Sequence, residues 1–194
     1  MESELFSLFP TPVLCISDFI TEGERTSIFN KIKNVPHYEH KALSNGISCS
    51  HDDTGYVVKN SFLEKEIILR IEKSLNEFAK IYGISELRIS NYWSNIEKKG
   101  SHLFIHRHPN SKISGSLYIN VSKNCHKLYF FNQNPFVRFE VFDKLNDFNY
   151  SHYALTPKNG ALFLFPSWLE HSSFDETSSI DNRIVISFNS VYVN

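Results

Sequence analysis

The sequence lacks a marked excess of charge of either sign. The 20 lysine and arginine residues stand against 21 aspartate and glutamate residues, which gives a formal net charge of −1. A protein that binds nucleic acid or an anionic membrane through electrostatics usually carries a basic patch or stripe. The composition therefore gives no strong nucleic-acid signal and no polybasic membrane signal.

Cysteine is scarce, and its three copies are Cys15, Cys49 and Cys125. An odd number without paired spacing is more typical of a reducing compartment than of a disulfide framework. The first residues, MESELFSLFPTPV, lack the basic region and apolar run of a signal peptide. No apolar run approaches the roughly 18 residues needed to span a bilayer. We therefore expect a cytoplasmic protein without a membrane segment.

Glycine is also rare, with 7 copies, whereas 17 phenylalanines and 9 tyrosines give a heavy aromatic load. Aromatic residues favour strands and large buried contacts. The length of 194 residues suits one domain, and the chain has no repeat, low-complexity tract or linker. We expect a single domain over 1–194, with 1–83 forming a helical buttress with edge strands and 84–194 forming a β core.

Two helices are predicted in the first part of the chain, after a short strand in VLCIS (13–17). Thr21 and Glu24 have the spacing of a capping box at the start of a helix over 21–33. Apolar residues recur at steps of three and four across 62–82, and Gly83 is placed to end that helix.

After Gly83 the sequence consists of short aromatic or β-branched segments separated by turn residues. Eight such segments predict a double-sheet barrel of the jelly-roll or cupin type. The predicted fold class is therefore mainly β with flanking helices (α+β). The segments cover residues 87–96, 101–108, 114–121, 127–133, 137–143, 152–157, 161–166 and 183–194.

Two of these predicted strands place polar side chains on one face. Ser116 and Tyr118 alternate with apolar residues in SGSLYINV, and Arg183, Ser187 and Asn189 do so in the last strand. Alternation alone favours a face exposed to solvent. The other interpretation is a polar pocket lined from inside the barrel.

Three histidines indicate a metal site. His106 and His108, in HRHPNS, share a face if the segment is a strand, and FPSWLEHSSF supplies His171 later in the chain. A cap of three imidazoles leaves open positions on a metal, as catalytic sites require, and suits either zinc or non-haem Fe(II). His51 and Asp53 form a weaker candidate pair, because their stretch has no strand pattern.

Arg183 helps to choose between these metals. An arginine on a strand beside an open metal is a natural anchor for a carboxylate, which it holds with two parallel hydrogen bonds. Tyr118 and Ser187 offer hydroxyls to the same group. An iron oxygenase that binds a dicarboxylic keto acid needs such an anchor, whereas a zinc hydrolase does not.

The motifs resemble one protein family along nearly the whole chain, from residue 8 to residue 189. The sequence is similar to the 2-oxoglutarate–Fe(II) oxygenases of the prolyl-4-hydroxylase branch, in a subgroup of bacteria and phages. The matching stretches occur in the family's order: LFPTPV, NYWSN, HRHPNSKISGSLYIN, GALFLFPSWLEHSS and RIVISFN.

This resemblance implies a double-stranded β-helix barrel that holds Fe(II) on His106, His108 and His171. It implies that 2-oxoglutarate binds the iron and that Arg183 holds its far carboxylate. It further implies cosubstrate contacts from Tyr118, Ser187 and Asn91, and a substrate pocket with Trp93, Asn189 and Ser116. Trp93 and Asn91 match the family's Asn-x-Trp.

The implied reaction converts 2-oxoglutarate and O2 to succinate and CO2 while a C–H bond is hydroxylated. The substrate is expected to be a small molecule or a protein side chain, and a homodimer is left open. The polar stretch 40–56 fits either a lid or an ordinary surface loop.

Two residues depart from the family pattern. His108 stands where the wider superfamily has aspartate or glutamate, which removes a negative charge from the metal, and Val185 replaces a serine. Two alternatives therefore stay open beside the oxygenase. One is a cupin-like three-histidine enzyme without a keto acid, of the thiol dioxygenase or zinc hydrolase type, and the other is a non-catalytic barrel.

Overall fold

Ten strands and two α-helices make up the regular structure of residues 2–6, 8–49, 62–173 and 179–193, which the computed structural model describes, together with a 3-10 helix at Pro135–Arg138. The helices are α1 (Glu22–Ile32) and α2 (Lys65–Ile81). The strands are β1 (Leu14–Ile16), β2 (Tyr38–Glu39), β3 (Leu43–Ser48), β4 (Leu87–Leu103), β5 (Ile113–Asn120), β6 (Leu128–Phe131), β7 (His152–Leu155), β8 (Leu162–Pro166), β9 (His171–Ser172) and β10 (Arg183–Tyr192).

The strands form two antiparallel sheets. The larger has seven strands in the order β1-β8-β5-β10-β4-β3-β2, and the smaller has three in the order β7-β6-β9. The long strands β4, β5 and β10 lie in the interior of the larger sheet, and its edges are the short strands β1 and β2. This architecture confirms the predicted mainly β fold with N-terminal helices.

The helices form where the sequence predicts, except that α2 begins at Lys65 rather than at residue 62. Thr21 Oγ1 accepts a hydrogen bond from the Glu24 N–H (3.2 Å), and the Glu24 carboxylate accepts one from the Thr21 N–H (2.8 Å), which completes the capping box. Gly83 follows α2 with φ of +63°, a conformation that glycine adopts at little cost. Neither helix in the described part of the chain is long and apolar enough to cross a membrane.

Both faces of the larger sheet are covered, one by the helices and the other by the smaller sheet. One face packs on α1 and α2, where Leu117, Ile186 and Phe188 are fully buried beside the helices. The other face turns Tyr118 and Val185 towards the smaller sheet. Consecutive residues of β5 and β10 therefore point alternately to the helices and into the space between the sheets.

Two predicted loops are strand instead. Residues 98–100, which carry the predicted turn KKG, lie within the continuous β4. The second half of β4 stays extended because it pairs with β3, where Leu43 lies opposite Leu103 and Ser48 lies opposite Asn95. β3 itself lies in the stretch 40–56, which the sequence predicts as a loop. That stretch is therefore partly strand, and the candidate pair His51 and Asp53 lies outside the described residues.

One predicted strand segment is wrong, and another is only partly correct. Residues 137–143 form the end of the 3-10 helix and irregular chain, and Phe139 and Val141 are exposed. No described strand pairs with this segment, so its aromatic composition alone does not make it a strand. The prediction for 101–108 holds only to Leu103, since β4 ends there and His106 makes an isolated bridge with His171.

Gly115 of β5 leaves room for its neighbours in the larger sheet, the Phe188 ring of β10 and the backbone of β8. A Cβ at this position would lie 2.2 Å from Phe188 Cζ and 2.8 Å from the Phe163 carbonyl oxygen. We expect Gly115→Ala to lower the free energy of unfolding by about 1–3 kcal/mol, because the core must shift to admit the methyl group. Gly23→Ala is the matched control, since a Cβ there meets nothing within 4 Å, and it should not destabilise the protein. Urea denaturation measures both, and equal midpoints would contradict the prediction.

Candidate active site

A cavity of about 420 Å³ lies between the two sheets. Its floor consists of paired residues of β4 and β10, with Trp93 opposite Ser187 and Glu97 opposite Arg183. Ser116 and Tyr118 of β5 are buried and line the same cavity. The polar faces of β5 and β10 therefore form an internal pocket, and the solvent-exposed interpretation that alternation favoured is wrong.

The structure brings the three predicted histidines together at this cavity. One ring nitrogen from each of His106, His108 and His171 lies within 4.8 Å of the others, and the Nε2 atoms of His108 and His171 are 3.3 Å apart. Backbone hydrogen bonds hold the segments in place. His106 and His171 exchange N–H···O bonds of 3.1 and 3.0 Å, and the His108 N–H donates to the Ser167 carbonyl at 2.9 Å.

Hydrogen bonds fix which nitrogen is free in two of these rings. The Nδ1–H of His106 donates to the Phe104 carbonyl, and the Nδ1–H of His171 donates to the Leu169 carbonyl, each at 2.9 Å. A carbonyl oxygen only accepts, so each Nδ1 carries the proton and each Nε2 keeps its lone pair. Such backbone partners orient histidine ligands in metal sites.

All three imidazoles are held in the neutral form. Burial lowers the pKa of His106, and burial together with the neighbouring His106 lowers the pKa of His108 to about 3. Burial, reinforced by the other two rings, also lowers the pKa of His171 well below its usual range. Three neutral, converging nitrogen donors fit a divalent ion such as Fe(II), and they fit zinc equally well.

A buried ion group lies elsewhere along the same cavity. The Arg183 guanidinium pairs through Nη1 with one oxygen of the Glu97 carboxylate, and the other oxygen accepts a hydrogen bond from His126 Nε2 at 2.7 Å. The guanidinium also lies 5.4 Å from the centre of the Tyr118 ring. All four residues are at least 97% buried.

The charges of this group follow from its contacts. Burial by itself would raise the pKa of Glu97, but Arg183 and His126 more than offset it and lower the pKa. Burial opposes the charge of Arg183, yet Glu97 and Tyr118 raise its pKa, so the guanidinium stays charged. Burial raises the pKa of Tyr118, which remains a neutral hydroxyl donor.

Arg183 has a donor to spare. Its buried Nε–H makes no hydrogen bond to any described residue. A buried donor without a partner costs free energy that a ligand oxygen at the cavity end of the side chain would recover. The guanidinium therefore suits a carboxylate ligand, as the sequence predicts, although it already has one carboxylate partner.

The remaining predicted site residues divide into two groups. Trp93, Ser116, Ser187 and Asn189 line the cavity. Asn91 shares their face of β4 and lies opposite Asn189, but it is not among the residues that line the cavity. A contact between Asn91 and the cosubstrate therefore stays a prediction.

Sequence reasoning missed Glu97 and His126. Glu97 lies four positions after Trp93 on β4, so the two side chains are on the same face, and this spacing is the sequence signal that places Glu97 in the pocket. His126 lies in the irregular segment after β5, where no periodicity points to a site. Only the folded chain brings it to Glu97.

The sequence profile of the 2OG-Fe(II) oxygenase family matches residues 91–189, which is half of the chain and includes the three histidines and Arg183. The chain belongs to this family of oxygenases. Fe(II), 2-oxoglutarate and O2 are accordingly its cofactor and cosubstrates, and the match selects the oxygenase among the three alternatives that the sequence left open. No curated protein sequence matches the chain.

Solved structures show the same fold at low sequence identity. An oxidoreductase of the 2OG-Fe(II) oxygenase family from Burkholderia pseudomallei has a TM-score of 0.64 and 13% identity, with 94% of this oxygenase and 85% of that chain covered. HygX from Streptomyces hygroscopicus, with nickel, 2-oxoglutarate and hygromycin B bound, has a TM-score of 0.60 and 12% identity, with 94% and 84% covered. The viral collagen prolyl hydroxylase of Paramecium Bursaria Chlorella virus-1, in complex with 2-oxoglutarate, has a TM-score of 0.59 and 15% identity, with 93% and 96% covered. These matches confirm the double-stranded β-helix fold.

Proposed function

We propose that this oxygenase holds Fe(II) on His106, His108 and His171, places 2-oxoglutarate between that cluster and Arg183, and hydroxylates a small molecule or a protein side chain. One observation carries the proposal. A single cavity contains three converging neutral imidazoles and a buried guanidinium with an unused donor. A metal-chelating keto acid with a second carboxylate is the ligand that matches both features.

Each part of the cavity has a separate task. Bound iron supplies the oxidative decarboxylation of 2-oxoglutarate that is coupled to C–H hydroxylation. The Nε2 atoms of His106 and His171 are ready to bind the metal because their Nδ1–H groups are committed to carbonyls. Arg183 orients the far carboxylate, with Tyr118 and Ser187 as hydroxyl donors along the wall. The buried walls keep water out.

The neighbours support both classes of substrate. One solved neighbour has hygromycin B bound, and another is a collagen prolyl hydroxylase. In this oxygenase His40, Arg107 and Lys127 also line the cavity, and their side chains suit a polar substrate.

The direct test is turnover of 2-oxoglutarate. Protein loaded with Fe(II) without oxygen should form succinate when 2-oxoglutarate and O2 are added, slowly even without the true substrate. Omission of any one of the three should stop succinate formation. Metal-loaded protein that binds no 2-oxoglutarate would overturn the proposal.

Arg183→Lys should weaken the binding of the far carboxylate of 2-oxoglutarate without affecting binding at the metal. Lysine keeps the positive charge beside Glu97 but lacks the planar fork that receives a carboxylate. We expect the KM for 2-oxoglutarate to rise about tenfold or more, whereas oxalate, which chelates the metal and has no distal arm, should bind as before. Arg88→Lys, on exposed β4 surface, is the control. An unchanged KM would show that the far carboxylate does not contact Arg183.

A further inference from the structure

The anchor for the far carboxylate already holds a carboxylate. Glu97 and Arg183 form a pair in which one negative and one positive charge cancel, and both side chains are almost fully buried. A second carboxylate at Arg183 would leave this buried group with a net negative charge. Burying an uncompensated charge is costly, so the group needs a further positive charge when the cosubstrate binds.

His126 is placed to supply that charge. Glu97 is ionised and can only accept, so His126 Nε2 carries a proton in the 2.7 Å hydrogen bond between them. The other ring nitrogen, Nδ1, is buried and has no hydrogen-bond partner in the part of the chain that the structure describes. In the neutral ring Nδ1 is a bare lone pair and adds no charge to the group. Once protonated, it becomes a donor.

The other titratable groups around the pair do not change charge near neutral pH. Arg183 faces it from β10 and stays positive, while Tyr118 faces it from β5 and stays neutral. Burial raises the pKa of the Cys125 thiol, which lies beside Arg183 in the segment that carries His126. Lys127 lines the same cavity. An imidazole is the group in this set that normally gains or loses a proton between pH 5 and 8.

We propose that Arg183 receives the far carboxylate of 2-oxoglutarate while it stays paired with Glu97, and that His126 takes up a proton from solvent when this carboxylate binds, which keeps the buried group neutral. This inference rests on the proposed function of the cavity. If binding takes up a proton, the affinity for 2-oxoglutarate falls as pH rises above neutrality, because the proton concentration falls. Glu97 and His126 act through Arg183 and are positioning residues.

The test is calorimetry of 2-oxoglutarate binding to nickel-loaded protein in two buffers that differ in ionisation enthalpy. The difference between the two apparent binding enthalpies gives the number of protons taken up. We expect about one proton per 2-oxoglutarate at pH 8 and a smaller uptake for oxalate, which occupies the metal without reaching Arg183. Because both ligands chelate the metal, subtracting the oxalate value cancels any protons that are taken up or released at the metal. Equal proton counts for the two ligands would overturn the inference while leaving the proposed function standing.

Two variants check which residue takes the proton. His126→Gln keeps an N–H donor for Glu97 but cannot gain charge, so it should bind 2-oxoglutarate about tenfold more weakly at neutral pH and without proton uptake. Its affinity for oxalate should not change. Glu97→Gln removes the resident charge and should bind 2-oxoglutarate at least as tightly as the wild type, also without uptake. If His126→Gln takes up as many protons as the wild type, the inference is overturned. If the wild-type protein binds oxalate but no 2-oxoglutarate, the inference and the proposed function both fail.

Discussion

Replacement of His171 by alanine is expected to abolish both Fe(II) binding and succinate formation. His171 is fully buried at the metal cluster, and its backbone also pairs with His106. Loss of a residue that merely orients a metal ligand typically lowers affinity or activity 10–100-fold. Loss of the ligand itself should therefore lower metal affinity by at least about a hundredfold. Equilibrium dialysis against Fe(II) without oxygen, followed by a succinate assay, measures both effects.

His37→Ala is the matched control for this variant. His37 is partly buried, and both of its ring nitrogens are hydrogen-bonded, Nδ1 to the Val35 carbonyl (2.7 Å) and Nε2 to Ser94 Oγ (2.8 Å). It does not line the cavity. The control should lose some stability and keep its metal. If His171→Ala retains iron as well as His37→Ala does, the three-histidine site is not the metal centre.

Glu97→Ala should cause a large loss of stability. It leaves the Arg183 guanidinium buried without its counter-ion and removes the acceptor of the His126 hydrogen bond. Removal of one partner from a buried ion pair typically costs about 3–5 kcal/mol. Glu64→Ala, which removes the exposed partner of Lys31, should cost no more than about 1 kcal/mol. Urea denaturation at pH 7 compares the two, and similar losses would mean that the buried pair contributes little.

The same pair gives stability a definite dependence on pH. The pKa of Glu97 is lowered in the folded protein, so its ionised form is favoured by folding. Its contribution is fully present above the ordinary pKa of a glutamate and is lost as pH falls through the lower, folded-state value. Stability should therefore fall on acidification in the wild type, and this component of the fall should be absent in Glu97→Gln.

The helices and the metal ligands could be predicted because their signals are local. Thr21 and Glu24 lie within four residues of each other and predict the N-terminal cap of α1. The apolar residues of α2 recur at helical spacing over about five turns and predict its buried face. His106 and His108 are likewise two residues apart, although they lie outside a strand. Three backbone hydrogen bonds, two between His106 and His171 of β9 and one from His108 to the Ser167 carbonyl, take the place of a strand and direct the two rings to one point.

The features that could not be predicted depend on partners distant in the chain. β3 looks like a loop in sequence and becomes a strand because β4 is beside it. The aromatic segment 137–143 looks like a strand and is not, since no described strand pairs with it. Tyr118 and Arg183 face an internal pocket rather than solvent because the smaller sheet covers them. Tertiary packing decides which face of a sheet is covered, and the alternation of polar and apolar residues along a strand does not show it.

The pairing of β4 with β10 also limits how this site can change during evolution. The Trp93 ring lies 5.7 Å from the His108 ring. Glu97 follows Trp93 four positions later on the same strand, or about 13 Å along the extended backbone. Ladder hydrogen bonds to β10 hold both positions, so no hinge or loop adjusts their spacing. A single-residue insertion between them would turn Glu97 into the helix-packed core and leave Arg183 without its partner. Insertions and deletions should therefore accumulate in the connections at the rim, while this stretch tolerates only exchanges of one side chain for another.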